Sequence, residues 1–361
     1  MSLLLGLTKK LISFKTTEDE PENITDAFMY IQSFFANDNH LFESKILKLK
    51  KTCALYVSPC GVTRPDVLLV GHIDVVKADK KMYVSKVVGD KLFGRGAFDM
   101  KGPIAAMICA MKDHVHVNPH ASVGMLITSD EERGGFDGMG TLITNTRFRP
   151  RIAIVPDGGS DFVCAQGGKG AGKITIIAKG SSAHSARPWE GKNAIMVATK
   201  LLVALEKKYP GAREQFTDQT TFPPVAISSS QSEANVIPDE VVITCNIRIT
   251  HDFDFVEFKK YIEKHFTASV TIEEYAKPYD AHLENKVAGI FLGVIKKYTG
   301  APVKKMIYPS TCDARFFAER GIPVVVTRPS GGGAHGSEEW ISLSGLELYK
   351  KILTHYLKLV A

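Results

Sequence analysis

Val67-Leu68-Leu69-Val70-Gly71-His72-Ile73-Asp74-Val75-Val76 decides how this chain folds. The apolar run before Gly71 has the continuous hydrophobicity of a parallel strand buried on both faces. Gly71 is free to bend the backbone where other residues resist, and His72 and Asp74 follow, two apart. If the chain stays extended there, both side chains point to one face. Open α/β sheets form ligand sites at the carboxyl ends of their strands. An imidazole in that place, with a carboxylate near its second ring nitrogen, has the arrangement of a zinc-binding histidine. Taken alone, His-x-Asp suits an ordinary polar loop as well, so the choice falls to the rest of the chain.

Two further strands repeat the pattern. One, near 123–128, runs into Ser129-Asp130-Glu131-Glu132-Arg133-Gly134-Gly135, and another, near 151–155, ends at Pro156-Asp157-Gly158-Gly159. Three consecutive acids repel one another unless something positive sits among them; a solvated turn is the plain alternative. Repetition at one topological place is what favours a site. Between the first strand and the one near 123–128 lies Gly94-Arg95-Gly96-Ala97-Phe98-Asp99-Met100-Lys101-Gly102, ahead of a helix from about 103 to 111. Its spacing fails the dinucleotide pattern G-x-G-x-x-G, and its glycines are expected to let Asp99 come close to His72. Near the end of the chain, a strand around 322–327 is followed by Ser330-Gly331-Gly332-Gly333-Ala334-His335-Gly336, which makes His335 a counterpart of His72.

The middle of the chain has a different rhythm. Alternating strands near 173–179, 225–229, 240–250 and 269–274, with helices near 193–207 and 253–266, give the order β-α-β-β-α-β of a ferredoxin-like unit. The expected organisation is therefore an α/β catalytic domain, 1–170 and 280–361, interrupted by a smaller domain, 171–279. In the strand near 240–250, Val241, Ile243, Cys245, Ile247 and Ile249 face one way and Asn246 and Arg248 the other. Arg248 there is either a carboxylate-binding group or a surface arginine without a partner. His184, in Ser181-Ser182-Ala183-His184-Ser185-Ala186-Arg187-Pro188, stands among small residues, where a buried and satisfied imidazole is the ordinary reading.

Composition narrows the class. A chain of 361 residues exceeds what one core usually supports, and 44% apolar with 23% charged residues is the balance of a soluble globular protein. The net charge of +6 is dispersed, as in Lys9-Lys10, Lys80-Lys81 and Lys259-Lys260, and implies no nucleic-acid partner. Six scattered cysteines without C-x-x-C read as reduced, mostly buried thiols of a cytoplasmic protein. Leu4, Leu7, Leu11 and Phe14 suit one face of an N-terminal helix rather than a leader. No stretch approaches the ~18 apolar residues of a membrane span.

The candidates collected are His72, Asp99, Glu132, Asp157 and His335, with Asp74 and Glu131 beside them. Two imidazoles and three carboxylates can hold two divalent ions if one carboxylate bridges, and mixed nitrogen and oxygen donors suit zinc rather than calcium. A carboxylate that is not a ligand must then move the proton.

With those motifs in that order the sequence resembles the co-catalytic zinc exopeptidases and deacylases, whose members include succinyl-diaminopimelate desuccinylase, acetylornithine deacetylase, aminoacylase-1, the cytosolic dipeptidases and glutamate carboxypeptidase. The resemblance covers nearly the whole chain. It implies a di-zinc hydrolase (two Zn2+, with Co2+ or Mn2+ as substitutes) cleaving the amide bond of a small peptide or an N-acyl amino acid through a metal-bridging hydroxide. It implies Asp99 as the bridging ligand, His72 and Asp157 completing one ion's set, and Glu132 and His335 the other's. Asp74 would orient His72, Glu131 would be the general base, and Asp99–Met100 would be a cis peptide. His184 would be the lid histidine that reaches the partner's site in a homodimer formed through the inserted domain. Asn235, Arg248, Ser310 and Thr311 match substrate-binding positions. Asp157, where the family's deacylases usually carry Glu, tilts the expectation toward an exopeptidase or dipeptidase; the compact inserted domain tilts it toward a desuccinylase-type deacylase. A non-catalytic binding relative is the reading from another class, and the complete ligand set with Glu131 opposes it.

Overall fold

The computed structural model describes residues 2–145, 148–209, 219–231 and 233–361, without the side chains of 274 and 275. The chain falls into two compact units. One comprises Met1–Gly167, Asp280–Met306 and Cys312–Ala361; the other comprises Gly168–Tyr279 and Ile307–Thr311.

The first unit is built on a six-stranded sheet in the order Phe42–Lys48, Cys53–Pro59, Val123–Thr128, Val67–His72, Ile152–Ile154, Val324–Val325. The last four are mutually parallel and the first two run antiparallel at one side. Every residue of Val67–His72 is buried, as its unbroken apolar run requires. The strand continues through Gly71 into His72, so Gly71 does not bend it. A Cβ at Gly71 would instead lie 2.9 Å from the Met100 methyl and 3.1 Å from Ile104. The glycine is there to let the helix Gly102–Val115 sit hard on the strand. That helix is buried on nearly all sides, and Leu3–Ser13 and Leu343–Val360 pack against it.

The second helix, Pro21–Ala36, starts on a proline, which at the first turn needs no hydrogen-bonded N–H. The edge strand Phe42–Lys48, with its mixed burial, gives no clean alternation to read. The expected strand at 322–327 is reduced to Val324–Val325. A short helix, Ala314–Ala318, has Asp313 at its start.

The second unit contains a four-stranded antiparallel sheet, Pro224–Ser229, Glu240–Ile249, Gly170–Lys179, Ala268–Ala276, the strand order of a ferredoxin-like fold. Ile174, Ile176, Val241, Ile243, Cys245 and Ile247 form one core with Leu201 and Leu205 of helix Ala194–Lys208 and Phe258 and Ile262 of helix Phe255–His265. Asn246 and Arg248 stand on the opposite, half-buried face.

Candidate metal centre

Three neighbouring parallel strands deliver their carboxyl ends to one edge. Register sets His72 beside Thr128 across one pair and Leu69 beside Ile154 across the other, so the residues following Thr128 and Ile154 emerge around His72. His72 Nδ1 lies 3.0 Å from the main-chain carbonyl of Asp74 and 3.6 Å from its carboxylate. Asp74 therefore orients the ring mainly through its backbone. Its carboxylate has a second task, accepting the N–H of Glu132 at 3.0 Å. With Nδ1–H committed, Nε2 faces Asp99 Oδ1 at 3.4 Å and Asp157 Oδ2 at 3.8 Å. It is buried and has no hydrogen-bond partner.

The acidic run after Thr128 is fanned apart by a single 3-10 turn, Glu131–Arg133. Asp130 turns inward and accepts the Gly138 N–H at 2.9 Å, which makes it a loop clamp. Glu131 and Glu132 are half-buried, and Glu132 meets His335 Nε2 at 3.0 Å. The turn thus points the three carboxyls in different directions.

Asp99 sits between the two imidazoles, 3.4 Å from His72 Nε2 and 3.7 Å from His335 Nε2. The Asp99–Met100 peptide is cis. His335 is carried in a hairpin between Gly331–Gly332 and Trp340–Ser342, with Trp340–Ser342 also paired to Lys91–Phe93. This small sheet brings the Gly94–Asp99 loop beside the His335 loop, where sequence reasoning expected only glycine-rich coil. Gly333, at φ +72, leaves the Glu338 carbonyl where a Cβ would stand.

Two overlapping sets of donors result: His72, Asp99 and Asp157, and Asp99, Glu132 and His335, each with its ligand atoms within 4.8 Å of one another. Imidazole nitrogen with carboxylate oxygen suits a borderline transition-metal ion and not an oxygen-only calcium site. The unpartnered, buried His72 Nε2 is the observation that such an ion explains.

The electrostatics match. Burial opposes ionisation of Asp99, but the Arg328 guanidinium and His72 hold its carboxyl far below the usual range. Asp157 is pushed up to about 8 by burial and by the charge of Asp99. Burial, reinforced by Asp157, also carries Glu131 well above the ordinary carboxylate value. Hydrogen bonding to Glu132 raises His335.

Two functional candidates escaped the sequence. Arg328, just past Val324–Val325, lies with Nη1 3.3 Å from Asp99 Oδ1 and 3.8 Å from Asp157 Oδ1. The strand-end rule that found Asp157 applies to it equally. Glu339, within Ser337-Glu338-Glu339-Trp340, is fully buried against the Asp99 loop; nothing local distinguishes it from Glu338.

The remaining predicted residues lie in the second unit. His184 is exposed, which overturns the buried reading, in the short strand Ala183–His184 paired to Val236–Ile237. Its Nδ1 accepts the Ala186 N–H at 3.1 Å, so the neutral ring carries its proton on Nε2 and presents an outward donor. Asn235 is exposed next to it, its carbonyl accepting the Ser185 N–H. Arg248 is half-buried, and its guanidinium has no ion-pair partner among the described residues. Ser310 and Thr311 are half-buried on the segment Ile307–Thr311.

Overlapping nitrogen and oxygen donor sets at the carboxyl edge of a parallel sheet, with a further carboxylate alongside, are the arrangement of a metal-dependent hydrolase. The chain belongs to peptidase family M20/M25/M40, whose model matches residues 68–359. It is similar to succinyl-diaminopimelate desuccinylase of Xanthomonas euvesicatoria pv. vesicatoria (strain 85-10), 27% identical over 326 residues that cover 82% of this chain and 85% of that one. In fold it is similar to aminopeptidase PepT from Bacillus cereus (TM-score 0.79, 16% identical, covering 98% and 97% of the two chains). It is equally similar in fold to a tripeptidase from Staphylococcus aureus (TM-score 0.78, 19% identical, covering 99% and 97%).

Proposed function

We propose that this protein is a di-zinc exopeptidase that releases an amino acid from a small peptide with a free amino terminus. The observation that carries the reading is the sharing of Asp99 between the two donor sets, with Glu131 close by and outside both. His72 and Asp157 would hold one ion and Glu132 and His335 the other, with Asp99 available to both. Zinc held by these residues would supply the acidification of a water and the polarisation of the scissile carbonyl. Glu131 takes the proton of the attacking water and delivers it to the leaving nitrogen; a carboxyl raised by burial is suited to hold that proton between the two transfers. Asp74 keeps the His72 ring in the tautomer that leaves Nε2 free.

His184 of the partner subunit donates its Nε2 proton toward the developing oxyanion, and Asn235, Arg248, Ser310 and Thr311 hold the substrate, Arg248 its carboxylate. A homodimer through the second unit is supported by the exposed edge strand Pro224–Ser229, which shows Val225 and Ile227 to solvent. Met196 and Val203 of the adjacent helix are exposed as well. An unpaired apolar edge of this kind is a template for a second copy. Six free cysteines agree with a cytoplasmic setting. The second reading, deacylation of an N-succinyl or N-acetyl amino acid, is favoured by the desuccinylase relative.

Release of free amino acid from two matched sets of substrates, with zinc and with a chelated control, separates the readings. Cleavage of dipeptides and tripeptides alone supports the exopeptidase. Cleavage of the N-acyl set alone replaces it with the deacylase, and silence toward both refutes the two together.

A further inference from the structure

Glu339 belongs to neither donor set, yet its carboxylate is fully buried and accepts four hydrogen bonds. Oε2 takes Arg95 Nη1 at 2.7 Å and the Gly96 N–H at 2.9 Å. Oε1 takes the N–H groups of Phe98 and Asp99, both at 2.9 Å. Arg95 reaches on with Nη2 to the Gly336 carbonyl at 2.9 Å, and the Gly94 N–H meets the Glu339 carbonyl at 3.0 Å. One carboxylate thus gathers the backbone of the loop that carries Asp99 while standing four residues from His335.

We infer that Glu339 is the positioning residue of the metal centre: its carboxylate sets the main chain of Asp99 against the His335 loop, so that one oxygen pair serves both donor sets. The inference rests on the reading of Asp99 as the shared ligand. Asp99 has little freedom to err, because a shift toward one imidazole is a shift away from the other. The backbone of its loop is non-helical at Asp99 and Met100, and the turn's own Lys101 N–H to Gly96 carbonyl bond, 2.7 Å, leaves the N–H groups of Phe98 and Asp99 to Glu339. Three of its N–H groups converge on Glu339 alone. Arg95 neutralises the buried carboxylate and, through Gly336, ties the same charge pair to the His335 turn. Outer partners of metal ligands of this kind are worth about 10–100-fold in metal affinity.

The test is a Zn2+ titration against a competing chelating dye, with the wild type, Glu339→Gln, the double variant Glu339→Gln/Arg95→Met and Asp99→Asn. The double variant removes both buried charges together, so it folds without an uncompensated ion. Zn2+ affinity should fall about 10–100-fold in both Glu339 variants, with turnover recovered at excess Zn2+ and the unfolding temperature of the metal-free double variant close to that of wild type. A residue that served only to hold the fold together would lower that temperature and leave turnover unrescued by zinc. Unchanged Zn2+ affinity in the Glu339 variants, with Asp99→Asn weakened, overturns the inference and leaves the ligand reading intact. Wild-type affinity in Asp99→Asn overturns the ligand reading and the inference with it.

Discussion

Replacing Arg328 by methionine should destabilise the metal-free protein much more than the zinc-loaded one. Arg328 is almost fully buried, with its guanidinium 3.7 Å over the Phe98 ring and Nε donating to the Gly159 carbonyl at 3.1 Å. Its Nη1 stands 3.3 Å from Asp99 Oδ1, the oxygen that also faces His72. At an effective dielectric constant near 20, charges about 4 Å apart attract by about 4 kcal/mol. Breaking a buried pair from one side costs about 3–5 kcal/mol. Asp157, carrying its proton below about pH 8, adds little to this at neutral pH. A loss of about 4 kcal/mol in a unit of this size lowers Tm by on the order of 10 °C. With divalent ions bound, the same carboxylates keep cationic partners, and the loss should shrink to the packing of one side chain on Phe98. The assay is thermal unfolding of wild type and Arg328→Met, each with chelator and with saturating Zn2+. Equal losses in the two conditions, or a metal-free loss of under 2 °C, would refute the claim that Arg328 acts as a resident counter-ion.

Other outcomes follow from the same site. Glu131→Ala should bind Zn2+ as wild type does yet lose about 10²–10⁴-fold in turnover; retained activity would remove Glu131 from the role of base. Protons compete with metal for Asp157, whose carboxyl titrates near 8. Zn2+ affinity should therefore fall as pH drops from 8 to 6, by up to about tenfold per unit for each proton displaced, and level off above 8. Titration calorimetry in buffers of different ionisation enthalpy counts those protons, and a flat profile contradicts the assignment. His184→Ala should slow turnover by about 10²–10³-fold with zinc content unchanged. Placing a lysine at Ile227 of the exposed edge strand should shift the protein toward monomer in analytical ultracentrifugation and cut turnover in step.

How much was legible in the sequence divides along physical lines. Strand ends are local features: an apolar run that stops at a polar residue announces both the strand and the edge where its side chains emerge. His72, Glu132 and Asp157 are legible for that reason, Asp99 and His335 from the glycines around them, and the two donor sets contain all five. The alternation of Glu240–Ile249 likewise assigned its two faces residue by residue, because a period of two needs no tertiary partner. Gly71 was found for the wrong reason. Its lack of a side chain serves the approach of Met100 and Ile104 from a helix some thirty residues on, and no neighbour in sequence reveals that.

The order of elements, the inserted ferredoxin-like unit and the chemistry of the donors were determined by the sequence alone, since each depends on periodicity or residue type within a short window. Only the tertiary structure decided how three adjacent acids divide, Asp130 onto the Gly138 N–H and Glu132 onto His335 with Glu131 between them, because one turn at Glu131–Arg133 sets their directions. It alone decided the parts of Arg328 and Glu339, which reach Asp99 across more than two hundred residues. A charge buried against a distant loop takes its meaning from the partners that desolvate it with it, and those partners are neighbours in space only.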